Sequence, residues 1–183
     1  MTKKVIILDR DGVINQDSDE FIKSPEEWQP IEGSLQAIAQ LNNAGYKVAV
    51  ATNQSGVARG LFDINVLEAV HQKMHNMLAD YGGHIDGVYF CPHGPDDKCK
   101  CRKPLPGLLY EIASKLKIEL KDVPVIGDSF RDLQAAMAAG AEPILVKTGK
   151  GLKTLKEPKL QSNIKVYNDL ADFTHHFLVS SKK

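Results

Sequence analysis

Val5-Ile6-Ile7-Leu8 is apolar at every position and stops abruptly at Asp9-Arg10-Asp11-Gly12. A short run without alternation reads as a strand covered on both faces, as in a parallel sheet with helices on either side. Open α/β sheets place their ligands at the carboxyl edge of the strands, which is where these two acids stand. Gly12 lets the backbone turn sharply away. In such a spot Asp9 can attack phosphorus, and Asp11 is a second carboxyl able to shuttle the leaving group's proton. Two neighbouring carboxylates repel each other and invite a divalent cation, Mg2+ foremost. An Asp-rich turn after a strand has the same composition, so the rest of the chain must decide.

The remaining segments repeat the arrangement. Residues 13–30 lack a period but hold Asp17, Asp19, Glu20 and Trp28, and loops of this length are usually functional, so an ordered loop over the site is expected. Leu35, Ile38, Ala39 and Leu41 recur at helical spacing over residues 34–44, and Gly45 stops the helix. Residues 46–51 form a second buried strand, which ends in Thr52-Asn53-Gln54-Ser55-Gly56, groups suited to phosphoryl oxygens or simply to a turn. Arg59 adds a cation to that loop. Asp63 caps a long helix reaching about residue 81, with Val66, Leu67, Val70, Met74, Met77 and Leu78 as its buried stripe. His71 and His75 have the i, i+4 spacing of a metal pair, but they flank the stripe without an acid to complete the set. They read as surface or boundary residues.

A third strand, residues 87–90, leads into Cys91-Pro92-His93 and, five residues on, Cys99-Lys100-Cys101. Three cysteines are too few and too local for a disulfide framework. With His93 they can close a tetrahedral Cys3His zinc site, and four protein ligands leave no position for water, which makes the zinc structural. That loop carries Arg102-Lys103-Pro104 ahead of a helix over Gly107–Leu116, whose first-turn N–H groups favour anions. Lys103 offers a point charge to a phosphoryl group and Arg102 a bidentate fork to a second anion. A fourth strand, residues 122–126, delivers Gly127-Asp128-Ser129-Phe130-Arg131-Asp132. Asp128 is placed to complete an all-oxygen Mg2+ site with Asp9, and Asp132 to orient it or to cap a helix over residues 133–139. Residues 143–146 make a fifth strand, 147–158 a polar loop, Lys165–Tyr167 a short edge strand and 170–179 a terminal helix. The fold class is α/β, a Rossmann-like three-layer sandwich around a mostly parallel central sheet, with a zinc-stapled loop.

Taken together, Asp9-Arg10-Asp11-Gly12, Thr52-Asn53, Lys103, and Gly127-Asp128 with Asp132 resemble the four motifs of the haloacid dehalogenase superfamily of phosphotransferases, across nearly the whole chain. The resemblance implies Asp9 as nucleophile, Asp11 as acid/base, and Thr52 and Lys103 as phosphoryl ligands. It also implies Mg2+ held by Asp9, Asp128 and the main-chain carbonyl of Asp11. No long insertion follows either of the first two motifs, so the chain resembles the capless type. The zinc loop, with Asn53-Gln54-Ser55-Gly56-Val57-Ala58-Arg59-Gly60 and Cys101-Arg102-Lys103-Pro104-Leu105-Pro106-Gly107, is similar to a branch acting on sugar bisphosphates, with the histidinol-phosphate phosphatases beside it. Substrate contacts are then expected from Asp17, Glu20, Asn53, Gln54, Ser55, Arg59, Arg102, Lys103 and Ser129. Ser129 departs from the branch, which carries a basic residue there.

The expected activity is a Mg2+-dependent phosphomonoesterase with an aspartyl-phosphate intermediate, acting on a small sugar bisphosphate. Lys+Arg and Asp+Glu both number 23, so no basic field recruits nucleic acid or an anionic membrane surface. Met1-Thr2-Lys3-Lys4 runs straight into a strand, and no apolar run approaches a membrane span. One cytoplasmic, monomeric phosphatase domain over residues 1–183 is expected. The rivals are a histidinol-phosphate phosphatase, a nucleic-acid 3′-phosphatase and a zinc-dependent binding module with vestigial acids. Four intact motifs count against the last, and the absence of a basic-aromatic stripe against nucleic acid.

Overall fold

The computed structural model describes residues 4–181. The start at Met1–Lys3 therefore lies outside the described residues. Six strands, β1 (Val5–Leu8), β2 (Lys47–Asn53), β3 (Gly87–Cys91), β4 (Pro124–Gly127), β5 (Glu142–Val146) and β6 (Lys165–Tyr167), form one sheet in the order β3-β2-β1-β4-β5-β6. All of its pairings are parallel. Between and after the strands run α1 (Ser34–Asn43), α2 (Ile64–Asp80), α3 (Gly107–Leu116), α4 (Phe130–Ala138), the one-turn α5 (Gly151–Thr154) and α6 (Leu170–Ser180).

The unalternating strands are explained by two separate cores. Ile6 and Leu8 join Leu35, Ile38 and Leu41 of α1, Val70, Met74 and Leu78 of α2, and Leu170 and Phe173 of α6. Val5 and Ile7 point the other way, to Leu108, Leu109 and Ile112 of α3 and Ala135 and Ala136 of α4. Successive side chains of β1 thus fill opposite faces, and both faces are apolar. Asp63 caps α2 as expected, its carboxylate accepting the Val66 N–H at 2.9 Å. Among the described residues no helix is long and apolar enough to cross a membrane.

Several elements differ from the sequence reading, each for a local reason. β2 runs two residues past the apolar stretch because Thr52 and Asn53 pair with Phe90 and Cys91 of β3, so both are strand residues and not turn residues. The polar stretch after β5 contains α5, which folds back on the site. Thr148 Oγ1 donates to Gly12 O and Thr154 Oγ1 to Asp128 O, both at 2.7 Å. Asp132 is not the cap of α4; Ser129 is, and Asp132 stands inside the first turn, accepting the Ser129 N–H at 2.9 Å. His75 is half-buried, as expected of a boundary residue, but His71 is buried, 7% exposed and with Nε2 3.1 Å from Arg10 Nη1. The loop over residues 13–30 is ordered as expected, with Val13, Ile14, Ile22 and Trp28 buried. Lys73 of α2 fastens it by donating to the carbonyls of Pro25 at 2.7 Å and Trp28 at 2.8 Å.

Candidate active site at the carboxyl edge of the sheet

β1 and β4 are neighbours, so the residues just past their ends meet. The Asp9 N–H donates to Ile126 O at 2.9 Å, and one carboxylate oxygen from each of Asp9, Asp128 and Asp132 lies within 4.8 Å of the others. Gly12, with φ of 82°, allows this approach: a Cβ there would collide with the Asp128 carboxylate. Lys103, 4% exposed, reaches the same point from the far loop. Its ammonium lies 2.6 Å from Asp132 Oδ1, 3.2 Å from Asp9 Oδ1 and 2.8 Å from Ala51 O, which uses all three of its hydrogens.

The charges sort themselves accordingly. Burial pushes Asp9 up to about 7, reinforced by the Asp132 charge and only partly offset by Lys103. Burial, then Asp132 and Asp9, push Asp128 up to about 9. Burial disfavours the Lys103 ammonium too, but Asp132 and Asp9 outweigh it and raise its pKa. Asp132, despite burial, is lowered by Lys103. Lys103 and Asp132 thus form a fixed ion pair, whereas Asp9 and Asp128 are two hard oxygen donors that a divalent cation would relieve.

Asp11 is held differently. Its Oδ1 accepts from Arg10 Nε at 3.0 Å, Arg10 Nη2 at 2.9 Å and Asn15 Nδ2 at 2.9 Å, and its Oδ2 from Gln54 Nε2 at 2.9 Å. Burial would raise its pKa, but Arg10 and Asn15 hold it below the usual carboxylate value. Gln54 Nε2 also donates to Thr52 Oγ1 at 3.0 Å. Asn53 spans the two halves of the site, donating to Lys103 O at 3.1 Å and accepting the Lys103 N–H at 3.0 Å. Its amide therefore sets the lysine in place.

Two small cavities of about 90 and 120 Å3 open here. Asp9, Thr52, Lys103, Asp128 and Ser129 line the first, and Gln54, Ser55 and Arg102 line the second, with Asp11, Asp17, Asn53, Arg131 and Lys150 shared. Ser129 lines the site, but its hydroxyl is given to Asp132 Oδ2 at 2.8 Å. Glu20 and Arg59 line neither cavity; both are exposed, and Arg59 lies 5.7 Å over the Phe21 ring. In their place stand two cations that pattern reading did not single out. Lys150, ahead of α5, pairs with Asp17 at 3.3 Å and gives its N–H to Asp128 Oδ2 at 2.7 Å. Arg131 sits two residues past Ser129, inside the very motif that drew attention to Asp128. Arg102 and Arg131 also share a neighbouring cavity of about 360 Å3, and neither pairs with a carboxylate among the described residues.

Behind Arg102, the ligand atoms of Cys91, His93, Cys99 and Cys101 lie within 4.8 Å of one another. Cys91 Sγ is 3.7 Å from Cys99 Sγ and 3.5 Å from His93 Nδ1, and Cys101 Sγ stands closer, 3.1 Å from Cys91 Sγ and 3.3 Å from His93 Nδ1, so that bound metal would move Cys101 outward by a few tenths of an ångström. Thiolates about 2.3 Å from one tetrahedral centre stand roughly 3.8 Å apart, so the spacing suits a single metal. Arg102 Nη1 donates to His93 O at 3.2 Å, which links that loop to the cavity wall.

Residues 100–173 match the HAD-hydrolase-like family model. The D-glycero-beta-D-manno-heptose-1,7-bisphosphate 7-phosphatase of Bordetella bronchiseptica is 57% identical over 175 residues, 96% of this chain and 98% of that protein. The Pseudomonas aeruginosa enzyme of the same name is 51% identical, over 93% of this chain and 96% of its own. A crystal structure of D,D-heptose 1,7-bisphosphate phosphatase from B. bronchiseptica, complexed with magnesium and phosphate, superposes with a TM-score of 0.95 at 56% identity, covering 97% of this chain and 99% of that one.

Proposed function

The chain belongs to the D-glycero-D-manno-heptose 1,7-bisphosphate 7-phosphatases of the haloacid dehalogenase-like hydrolases, and from that premise we propose that it removes the 7-phosphate of D-glycero-β-D-manno-heptose 1,7-bisphosphate. It is a phosphatase. One observation carries the reading of its site: a largely buried carboxylate, Asp9, faces a buried ammonium, Lys103, at 3.2 Å, beside a cavity wall bearing two guanidiniums without acid partners among the described residues.

Asp9 attacks phosphorus in line with the leaving oxygen, and Asp11, which Arg10 and Asn15 keep ionised in the free site, takes up the proton of the bound monoester monoanion and gives it to the departing alkoxide. Asp11 then takes a proton from the water that opens the aspartyl phosphate. The Lys103 N–H that points at Asp9 donates instead to a phosphoryl oxygen, the ammonium keeping its charge, while Ala51 O and Asp132 hold the other two hydrogens in place. Asp9, Asp128 and the main-chain carbonyl of Asp11 would hold Mg2+; Asp132, whose oxygens serve Lys103 and Ser129, stays with the lysine. Bound Mg2+ supplies neutralisation of the transferring group's charge. Arg102 and Arg131 take the remote phosphate, and Asp17, Asn53, Gln54 and Ser55 border the sugar. Cys91, His93, Cys99 and Cys101 would hold one structural zinc, fixing the loop that carries Arg102 and Lys103.

The heptose 1-monophosphate left behind is a precursor of nucleotide-activated heptose for lipopolysaccharide core or surface glycans. The protein works as one cytoplasmic phosphatase domain, a monomer without nucleic-acid or membrane partners. Acid-quenching the enzyme during turnover of heptose 1,7-bisphosphate with Mg2+ should leave phosphate on the peptide that carries Asp9. Free phosphate released with that peptide never modified would contradict the covalent route.

A further inference from the structure

Arg10 lies between the two acids of the site and is 0% exposed, one of the largest fully buried side chains in the protein. A guanidinium is never deprotonated here, so a buried one must be paired and hydrogen-bonded. Asp11 supplies the charge, with Nε and Nη2 both directed at its carboxylate. The remaining arm points away from the site, and Nη1 lies 3.1 Å from His71 Nε2. Guanidinium nitrogens only donate, so His71 Nε2 must accept, which fixes a neutral ring with its proton on Nδ1. Burial, then the Arg10 charge, push His71 down to about 3 and keep the ring neutral. α2 supplies the imidazole, and Phe90 of β3 lies against it with ring centroids 6.2 Å apart. Ring and guanidinium are thus trapped between helix and sheet.

We propose that His71 is a positioning residue for Asp11: by accepting from Nη1 it fixes the rotation of the Arg10 fork, and the fork fixes the plane of the carboxylate that transfers the proton. Without an acceptor on α2, Arg10 would keep its charge partner but lose the contact that sets its angle, and Asp11 would follow. The inference rests on Asp11 being the acid that protonates the leaving group. A misplaced acid matters only when the leaving oxygen needs a proton. A sugar alkoxide does, and p-nitrophenolate does not.

The test is kcat/KM, which reports the steps up to loss of the leaving group, for heptose 1,7-bisphosphate and for p-nitrophenyl phosphate. His71→Leu, which fills the space without an acceptor, should lower the first by about tenfold and the second by less than about twofold, since misplacement of a catalytic group by a fraction of an ångström has effects of this order. His71→Gln, whose amide oxygen can accept from Nη1, should restore most of the loss. Equal losses on both esters, no loss, or no rescue by Gln would overturn the proposal. Should His71→Leu fail to fold, the side-chain 15N spectrum of the wild-type protein decides: a proton on Nδ1 supports it, and a proton on Nε2 refutes it. Asp11→Asn is the control for the underlying reading. If it shows no preference for the good leaving group, the role of Asp11 falls; if it does and His71→Leu does not, only the role of His71 falls.

Discussion

Replacing Lys103 by Met removes one positive charge from beside the clustered carboxylates of Asp9, Asp128 and Asp132. Lys103 and Asp132 are 4% and 3% exposed, and the ammonium is 2.6 Å from Asp132 and 3.2 Å from Asp9. Breaking a buried pair from one side costs about 3–5 kcal/mol, because the partner charge is left without compensation. For a chain of this size each kcal/mol shifts Tm by roughly 2–4 °C, so the variant should melt about 10 °C lower at pH 7.5 in magnesium-free buffer. The sign of its pH dependence follows. In the wild type Lys103 holds Asp132 below its ordinary value, a contribution present above about pH 4 and lost as pH falls through the depressed value. Without the lysine, Asp132 and Asp9 are both raised by burial and by each other, which destabilises above about pH 4 and is relieved as they protonate. The gap between variant and wild type should therefore be largest near pH 7.5 and shrink at pH 4.5. Removing the orphaned charge as well, in Lys103→Met with Asp132→Asn, should restore at least about half of the loss. Thermal and urea unfolding across pH provide the measurements. A loss below about 1 kcal/mol, or a gap that does not change with pH, would refute the argument that this lysine is the electrostatic counterweight of the site.

In magnesium-free protein Asp9 and Asp128 are raised from 3.8 to about 7 and about 9, so the contribution of these two groups to stability is full below about pH 4 and falls as pH rises toward 9. Added Mg2+ should flatten that fall, and a melting profile that Mg2+ leaves unchanged would contradict the metal site. Asp9→Asn should abolish turnover while the circular dichroism spectrum is kept; near wild-type turnover would remove the covalent mechanism. Protein purified without added zinc should contain one zinc per chain, and Cys99→Ser with Cys101→Ser should lose both zinc and activity before the sheet unfolds. Arg131→Ala should lower kcat/KM for the bisphosphate by roughly ten- to a hundredfold, the worth of one charge-assisted contact, and leave p-nitrophenyl phosphate nearly untouched. Equal losses on both would remove Arg131 from the remote-phosphate site.

The parallel sheet was legible because β1, β2 and β4 are buried on both faces and so carry unbroken apolar runs, each followed by polar residues at one edge. The Cys3His cluster was equally legible, since its ligands fall within eleven positions on one loop. Local spacing could not disclose contacts made across the sheet. His71 looks like a residue beside an apolar stripe, and only the register of α2 against β1 brings it to Arg10, 61 positions earlier. Asn53 looks like a phosphate ligand in its turn-like string, yet its amide is given to the Lys103 backbone, 50 positions on. Ser129 drew attention as the residue next to Asp128, whereas the cation that faces the cavity is Arg131, because the first turn of α4 rotates it toward Arg102. Lys150 was hidden in a stretch with no period at all, which closes on the site through its contacts with Gly12, Asp17 and Asp128.

Phosphorus NMR of D-glycero-β-D-manno-heptose 1,7-bisphosphate during turnover, run beside histidinol phosphate at equal concentration with Mg2+, tests the substrate and the bond together. The primary 7-phosphate resonance should disappear into inorganic phosphate while the 1-phosphate persists, with kcat/KM far above that for histidinol phosphate. Loss of the 1-phosphate first, or a preference for histidinol phosphate, would contradict the assignment.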